Sequence, residues 1–213
     1  MRDTNLDETP NIVLSLPEDA NLSLPSPELR DFYYEESQRR IWLDDTVSLY
    51  SISAICKQIL KWNFEDDKIE PGLRKPIKIC FCSMGGDLEA YLMLKDIIKL
   101  SLTPVIGIVV CYTASAAAYS FLQCHKKYML SSAKILFHYG SISISNDAKS
   151  AIESMKKYEE DLDQLIQTIK ENSNFTEEDI KVKLQQDWEL NAKEMIEHQM
   201  IEGVVDDLSL FWE

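Results

Sequence analysis

The sequence predicts an α/β fold, and three of its features carry that prediction. Residues 104–110 (PVIGIVV) form a continuously apolar, β-branched run, the pattern of a strand covered on both faces as in a parallel sheet. Runs of this kind alternate with segments whose apolar residues recur at helical spacing, as strands and helices stacked in layers require. Beyond Asn146 the pattern becomes almost wholly helical.

In chain order, residues 1–30 hold four of the seven prolines, no aromatic residue and the short echo Leu14-Ser-Leu-Pro17 and Leu22-Ser-Leu-Pro25. Such a stretch cannot build a core, so residues 1–38 are expected to be a flexible, extended arm and residues 39–213 a single domain. RRIWL at 39–43 reads as the first strand. Residues 47–62 place Leu49, Ile52, Ile55, Ile59 and Trp62 on one helical face. KICFC at 78–82 is a strand, Gly85 and Gly86 make a turn, and residues 88–100 a helix. After the strand at 104–110, a helix of small residues is expected over 114–124, then strands at 128–130 and 134–138. A long amphipathic helix spans about 147–172, with Ile152, Met155, Leu162, Leu165, Ile166 and Ile169 along one face. Thr176 with Asp179, and Asn191 with Glu194, have the spacing of helix starts capped by a side-chain oxygen.

The 213 residues suit one domain with an ordinary core. With 22 Lys and Arg against 36 Asp and Glu, the net charge of −14 disfavours nucleic acid or an anionic membrane face as a partner. Residues 147–213 carry 18 acids and 7 bases, read as a solvated acidic face. The five cysteines are odd in number and none falls in a CxxC, which favours reduced thiols and a cytoplasmic setting. Cys80 and Cys82 read as core residues, since nothing completes a metal-ligand set around them. No apolar run reaches the length of a membrane span, and the acidic start MRDTNLDETPN lacks the form of a signal peptide.

Three groups of residues could carry chemistry. Ser83, Met84, Gly85, Gly86 and Asp87 lie between a strand and a helix, where a glycine turn can aim backbone N–H groups at an oxyanion; the same residues also suit a plain turn. Ser115 enters a helix directly after a buried strand, with small neighbours and the N–H of Ala116 at hand; serine also suits that position as a helix cap. His138 closes the strand KILF and is the best placed of three histidines to act as a base, while Asp187 precedes a capped helix; a core histidine and a solvated aspartate are the plainer readings. His125 looks exposed beside two lysines, and His198 lies among polar residues of a helix.

The order of these parts resembles the proteolytic subunit of the Clp protease, a serine peptidase family. Its serine segment G-x-A-A-S-M-G-A is matched by Cys111-Tyr-Thr-Ala-Ser-Ala-Ala-Ala118, and its strand-closing I-H-Q-P by Leu136-Phe-His-Tyr139. Its E-R-D-x-x-x-x-A is matched by Gln185-Gln-Asp-Trp-Glu-Leu-Asn-Ala192, its N-S-P-G-G by Cys82-Ser-Met-Gly-Gly86, and its Y-G-L-I-D by Met200-Ile-Glu-Gly-Val-Val-Asp206. The resemblance spans about residues 39–207 and departs at Met84, Ala116 and Ala117, and after His138, where residues 139–146 alternate like an edge strand. It implies a spiral of ββα units with a long protruding handle helix. It also implies a catalytic triad of Ser115, His138 and Asp187, with an oxyanion hole drawn from Gly85 or Gly86 and Ala116. No cofactor or metal is implied. Unfolded polypeptides would be cleaved inside a homo-oligomeric ring, a heptamer or a stacked double ring, and ATP used by a separate AAA+ unfoldase, since the chain has no G-x-x-x-x-G-K-[ST]. A non-catalytic ring subunit of the same fold and a crotonase-like acyl-CoA enzyme are the rival readings.

Overall fold

The computed structural model describes residues 26–140 and 148–212. Its strands are β1 (Arg40–Leu43), β2 (Ile77–Phe81), β3 (Val105–Val109), β4 (Tyr112–Ala114), β5 (Lys126–Met129), β6 (Lys134–Phe137), β7 (Trp188–Asn191) and β8 (Gly203–Val204). The helices are α1 (Pro27–Ser37), α2 (Leu49–Glu65), α3 (Leu88–Leu100), α4 (Ser115–Leu122), α5 (Ala148–Glu171), α6 (Glu177–Lys183) and α7 (Ala192–Glu197). Among the described residues, β1-β2-β3-β5-β8 form an all-parallel sheet, and β4-β6-β7 a second sheet in which β4 and β6 are parallel and β7 antiparallel.

Every residue of β2 and β3 is buried, Lys78 included, as expected of central strands in a parallel sheet. Ile77, Ile79 and Phe81 join the main core with the apolar faces of α2, α3 and α4. Cys80, Ile106 and Ile108 face the other way, under Phe211 from the 3-10 turn Leu208–Phe211. α2 starts on a capping box in which Ser48 and Ser51 exchange side-chain and backbone hydrogen bonds. Asp87 caps α3 by accepting from the N–H groups of Glu89 and Ala90. The two helix starts expected at Thr176 and Asn191 are both capping boxes, on α6 and α7.

Residues 27–37, expected within an extended arm, are the helix α1. Its start is a Ser26 cap followed by Pro27 and Glu28, where a proline in the first turn gives up an N–H that would be orphaned anyway. α1 is fastened to the body by a two-pronged Glu35–Arg40 pair, by a Glu36–Lys61 pair and by the Arg40 guanidinium over the Tyr34 ring. Phe32, Tyr33 and Tyr34 nonetheless stay more than half exposed. The edge strand expected within residues 139–146 falls largely on residues 141–147, which lie outside the described residues.

Three short strands, β4, β7 and β8, were not expected from the sequence, the last two because the chain beyond Asn146 read as almost wholly helical; β4 and β7 flank the residues singled out for chemistry. α5 is divided along its length. Leu165, Ile166 and Ile169 are buried, and Thr168 shares a hydrogen bond of 2.9 Å with Tyr91 of α3, whereas Ile152 and Met155 at the other end are exposed. A helix with one end in the core and apolar residues in solvent at the other has the form of a handle.

Asp66 ties the end of α2 to the entries of β1 and β3. Its carboxylate accepts from both Arg39 guanidinium nitrogens at 2.5 and 2.8 Å and from Thr103 Oγ1 at 2.7 Å, and the residue is 1% exposed. The Arg39 hydrogen bonds hold its pKa below the usual carboxylate value, against the opposing cost of burial. A depressed folded pKa contributes stability that is complete above the unfolded value of about 3.9 and is lost as pH falls through the folded one. Asp66→Ala is therefore expected to lower unfolding free energy by about 3 kcal/mol at pH 7, since it leaves a half-paired buried guanidinium. Urea titrations should show the gap from the parent narrowing below pH 4; a constant gap down to pH 3 would show that the ionised pair is not its source.

Candidate active site

Registers of the small sheet bring together residues far apart in sequence. β4 pairs with β6 so that Ala114 lies opposite Leu136, and β6 pairs with β7 so that Phe137 lies opposite Trp188. Ser115 is the residue after β4, His138 the residue after β6, and Asp187 the residue before β7. All three therefore reach the same edge. Ser115 and His138 line one cleft of about 580 Å³, together with Gly86, Ala116 and Tyr119.

Ser115 has φ +54°, in the left-handed region that a non-glycine residue adopts only at a cost. This sharp step turns the chain from strand into helix and sets the hydroxyl at the rim of the cleft. Its side chain does not cap the helix, the plainer role open to it: Ala114 occupies the N-cap position and no side-chain cap bond forms there. Ala116, Ala117 and Ala118 behind it are all buried, so small side chains let α4 sit deep in the core.

The glycine turn lies directly against this serine. A Cβ on Gly85 would fall 2.5 Å from the Ala114 carbonyl oxygen and 2.7 Å from Ser115 Cβ, and one on Gly86 would fall 2.3 Å from the Val47 carbonyl oxygen. With φ of +91° and +150°, both positions need glycine for conformation as well as room. The turn is held from three sides: Val47 N donates to Gly85 O at 2.9 Å, Asp87 N to Val47 O at 2.8 Å, and Ala114 N to Ser83 O at 2.8 Å. Ser83, to which the sequence reading gave no role of its own, donates from Oγ to Asp45 O at 2.6 Å and accepts from Gly85 N at 3.1 Å. The Gly85 N–H is thus committed within the turn. Those of Gly86 and Ala116 have no acceptor among the described residues.

His138 Nδ1 stands 3.6 Å from Asp187 Oδ1, a charge contact longer than a hydrogen bond. The Asp187 side chain is 74% exposed and that of His138 33%. Tyr119 Oη donates to the His138 carbonyl at 2.9 Å and so anchors the end of β6 on α4, a positioning contact with no sequence signal beyond a buried aromatic residue. No hydrogen bond joins Ser115 Oγ to the imidazole among the described residues. Such contacts are commonly loose in a free site and shorten around a substrate.

The remaining reactive groups lie elsewhere. His125 is exposed yet accepts from Val105 N at 2.9 Å through Nδ1, and His198 closes α7 with its ring 4.0 Å from that of Phe175. All five cysteines are free, and burial pushes the Cys80 thiol up to about 12. Cys82, expected in the core with Cys80, is only half buried because it sits beside the exposed Cys111. No group of three or more potential metal ligands occurs among the described residues, and no described helix is long and apolar enough to cross a membrane.

Comparison with known proteins finds relatives both in sequence and in fold. The chain is 27% identical over 133 residues to an ATP-dependent Clp protease proteolytic subunit from Paracoccus denitrificans, an alignment covering 62% of this chain and 67% of that protein. Its fold superposes on a ClpP1 variant from Listeria monocytogenes with a TM-score of 0.71 at 18% identity, covering 84% of this chain and 98% of the other. The family model for Clp protease matches residues 30–207, and the chain belongs to that family.

Proposed function

We propose that the chain is a serine endopeptidase that hydrolyses peptide bonds of unfolded polypeptides inside a cytoplasmic, homo-oligomeric chamber served by a separate ATP-dependent unfoldase. The observation that carries this reading is the meeting, at one sheet edge, of a left-handed serine, two uncommitted N–H groups and an imidazole facing a carboxylate. Ser115 Oγ attacks the scissile carbonyl and passes its proton to His138 Nε2, the ring nitrogen turned away from Asp187. Gly86 and Ala116 donate to the oxyanion; the committed Gly85 N–H leaves Gly86 as the donor from the glycine turn. Asp187 holds the imidazole and stabilises its cation, and His138 returns the proton to the leaving amine. Water repeats the sequence to release the acyl group. Every one of these steps uses the chain's own groups.

The chamber reading rests on the free end of α5, where Ile152 is 61% and Met155 43% exposed, an apolar stripe that neighbouring subunits would cover. The unfoldase would be a different protein, because this sequence has no nucleotide-binding loop motif. Since α1 is bound to the body, we place the start of the peptidase domain at residue 26; residues 1–25 of the expected arm lie outside the described residues.

Ser115→Ala should remove turnover of fluorogenic peptides by about 10⁴-fold or more while leaving the melting temperature within a few degrees. Asp187→Asn should cost about 10²- to 10⁴-fold at unchanged oligomer size. Normal turnover by Ser115→Ala would refute the nucleophile, and a near-wild-type Asp187→Asn would mean that another carboxylate serves. Sedimentation at micromolar concentration should give a mass several times 24.6 kDa. A monomer alone would refute the chamber.

A further inference from the structure

The cleft beside Ser115 has one wall formed by a stripe of α5. Ser154, Lys157, Tyr158, Asp161, Leu162 and Leu165 recur at helical spacing and all line it. This stripe is apolar only at its inner end: Leu165 is buried, Leu162 half buried, and outward from them come Asp161, Tyr158 and Lys157. Lys157 does not neutralise that end. Its ammonium is spent on Glu89 at 2.7 Å, and its pKa is raised first by that hydrogen bond and further by the fields of Asp161 and Asp87. Glu89 pairs with this ammonium directly, and the carboxylates of Asp161 and Asp87 act on it through space. Asp87 and Glu89 have partners of their own, Asp87 accepting from two N–H groups at the start of α3. Asp161 has neither an ion pair nor a hydrogen bond among the described residues, and its half-buried carboxylate opens on the cleft.

We propose that this cleft selects substrates with lysine or arginine at the residue preceding the scissile bond, and that Asp161 is the counter-ion that selects them. The proposal rests on the peptidase reading above and names the substrate class of the same site. A long cationic side chain suits both parts of the wall. Its methylenes lie along Leu162 and Leu165, while its charge reaches Asp161, which is next to Leu162 in the chain. The rings of Tyr119 and Tyr158 also line the cleft and favour a cation over a carboxylate. Tyr158 is itself fixed, since its hydroxyl donates to the Tyr139 carbonyl at 2.9 Å just past His138. A substrate with an acidic side chain at that position would meet an excess of negative charge and be rejected.

The test compares peptidyl phosphonate probes that differ only in carrying arginine, leucine or glutamate at the position next to phosphorus. The full-length protein is labelled at low ionic strength and the modified residue is mapped by mass spectrometry. Labelling of Ser115 is expected to be about tenfold or more faster with arginine than with leucine, and slowest with glutamate. In Asp161→Asn the arginine-to-leucine ratio should fall about tenfold, and in Asp161→Lys the glutamate probe should overtake the arginine one. Both changes are at a partly exposed position, and their fold is checked by melting temperature. Ser115 labelled faster by leucine than by arginine, or a ratio indifferent to Asp161→Asn, would overturn the specificity and leave the peptidase reading standing. No labelling of Ser115 by any probe would overturn the peptidase reading, and the specificity with it.

Discussion

The pairing of β6 with its two neighbours determines where Ser115, His138 and Asp187 lie. Ser115, His138 and Asp187 come from three separate segments, and each is the first residue beyond a paired strand end. Because side chains alternate along a strand, a slip of one residue would turn His138 into the core and Phe137 out to the cleft. Aromatic packing resists that slip. Phe137 meets Tyr119 of α4 at 5.4 Å between ring centres and Trp188 of β7 at 5.8 Å, and Trp188 meets Phe175 at 5.0 Å. Two of these contacts are edge-to-face and the Phe137–Trp188 one is tilted, and aromatic pairs contribute on the order of 1 kcal/mol each beyond the area they bury. The register is thus set by the core and used by the cleft.

Strain at Ser115 and close approach at Gly85 are two sides of one arrangement. A left-handed serine lets α4 begin immediately where β4 ends, and the bare glycine lets the turn from β2 come within van der Waals reach of it. The cost is offset by the burial of almost the whole of α4, from Ala116 through Leu122. Ser83 holds the turn in place by hydrogen bonds on either side, which uses the Gly85 N–H and leaves that of Gly86 free. A single hydroxyl therefore decides which of the two glycines keeps an uncommitted N–H.

The parallel sheet was legible in the sequence because β3, covered on both faces, reads as an unbroken apolar run, and α3 because its apolar spacing and its Asp87 cap agree. β4 and β7 were not, since three or four residues are too few for a period to distinguish strand from loop, even in the alternating Trp188–Asn191 of β7. α1 was hidden by the proline-rich stretch it closes: Pro27 marks a helix start only when Ser26 is read as its cap. Of the site, the types and order of Ser115, His138 and Asp187 were legible through a family resemblance, but their meeting depends on β4 and β7, which were missed. The choice between Gly85 and Gly86 was beyond the sequence altogether, because it turns on which N–H is already bonded.

Whether one sheet edge assembles both a nucleophile and its oxyanion donors is tested by a crystal structure of the protein after reaction with a fluorophosphonate. Phosphorus is expected bonded to Ser115 Oγ, with the phosphoryl oxygen about 2.7–3.1 Å from the N–H groups of both Gly86 and Ala116. His138 Nε2 should lie within hydrogen-bond reach of the adduct, and Asp187 should have closed on Nδ1. An adduct on a different residue, or a phosphoryl oxygen turned away from Gly86 and Ala116, would contradict that assembly.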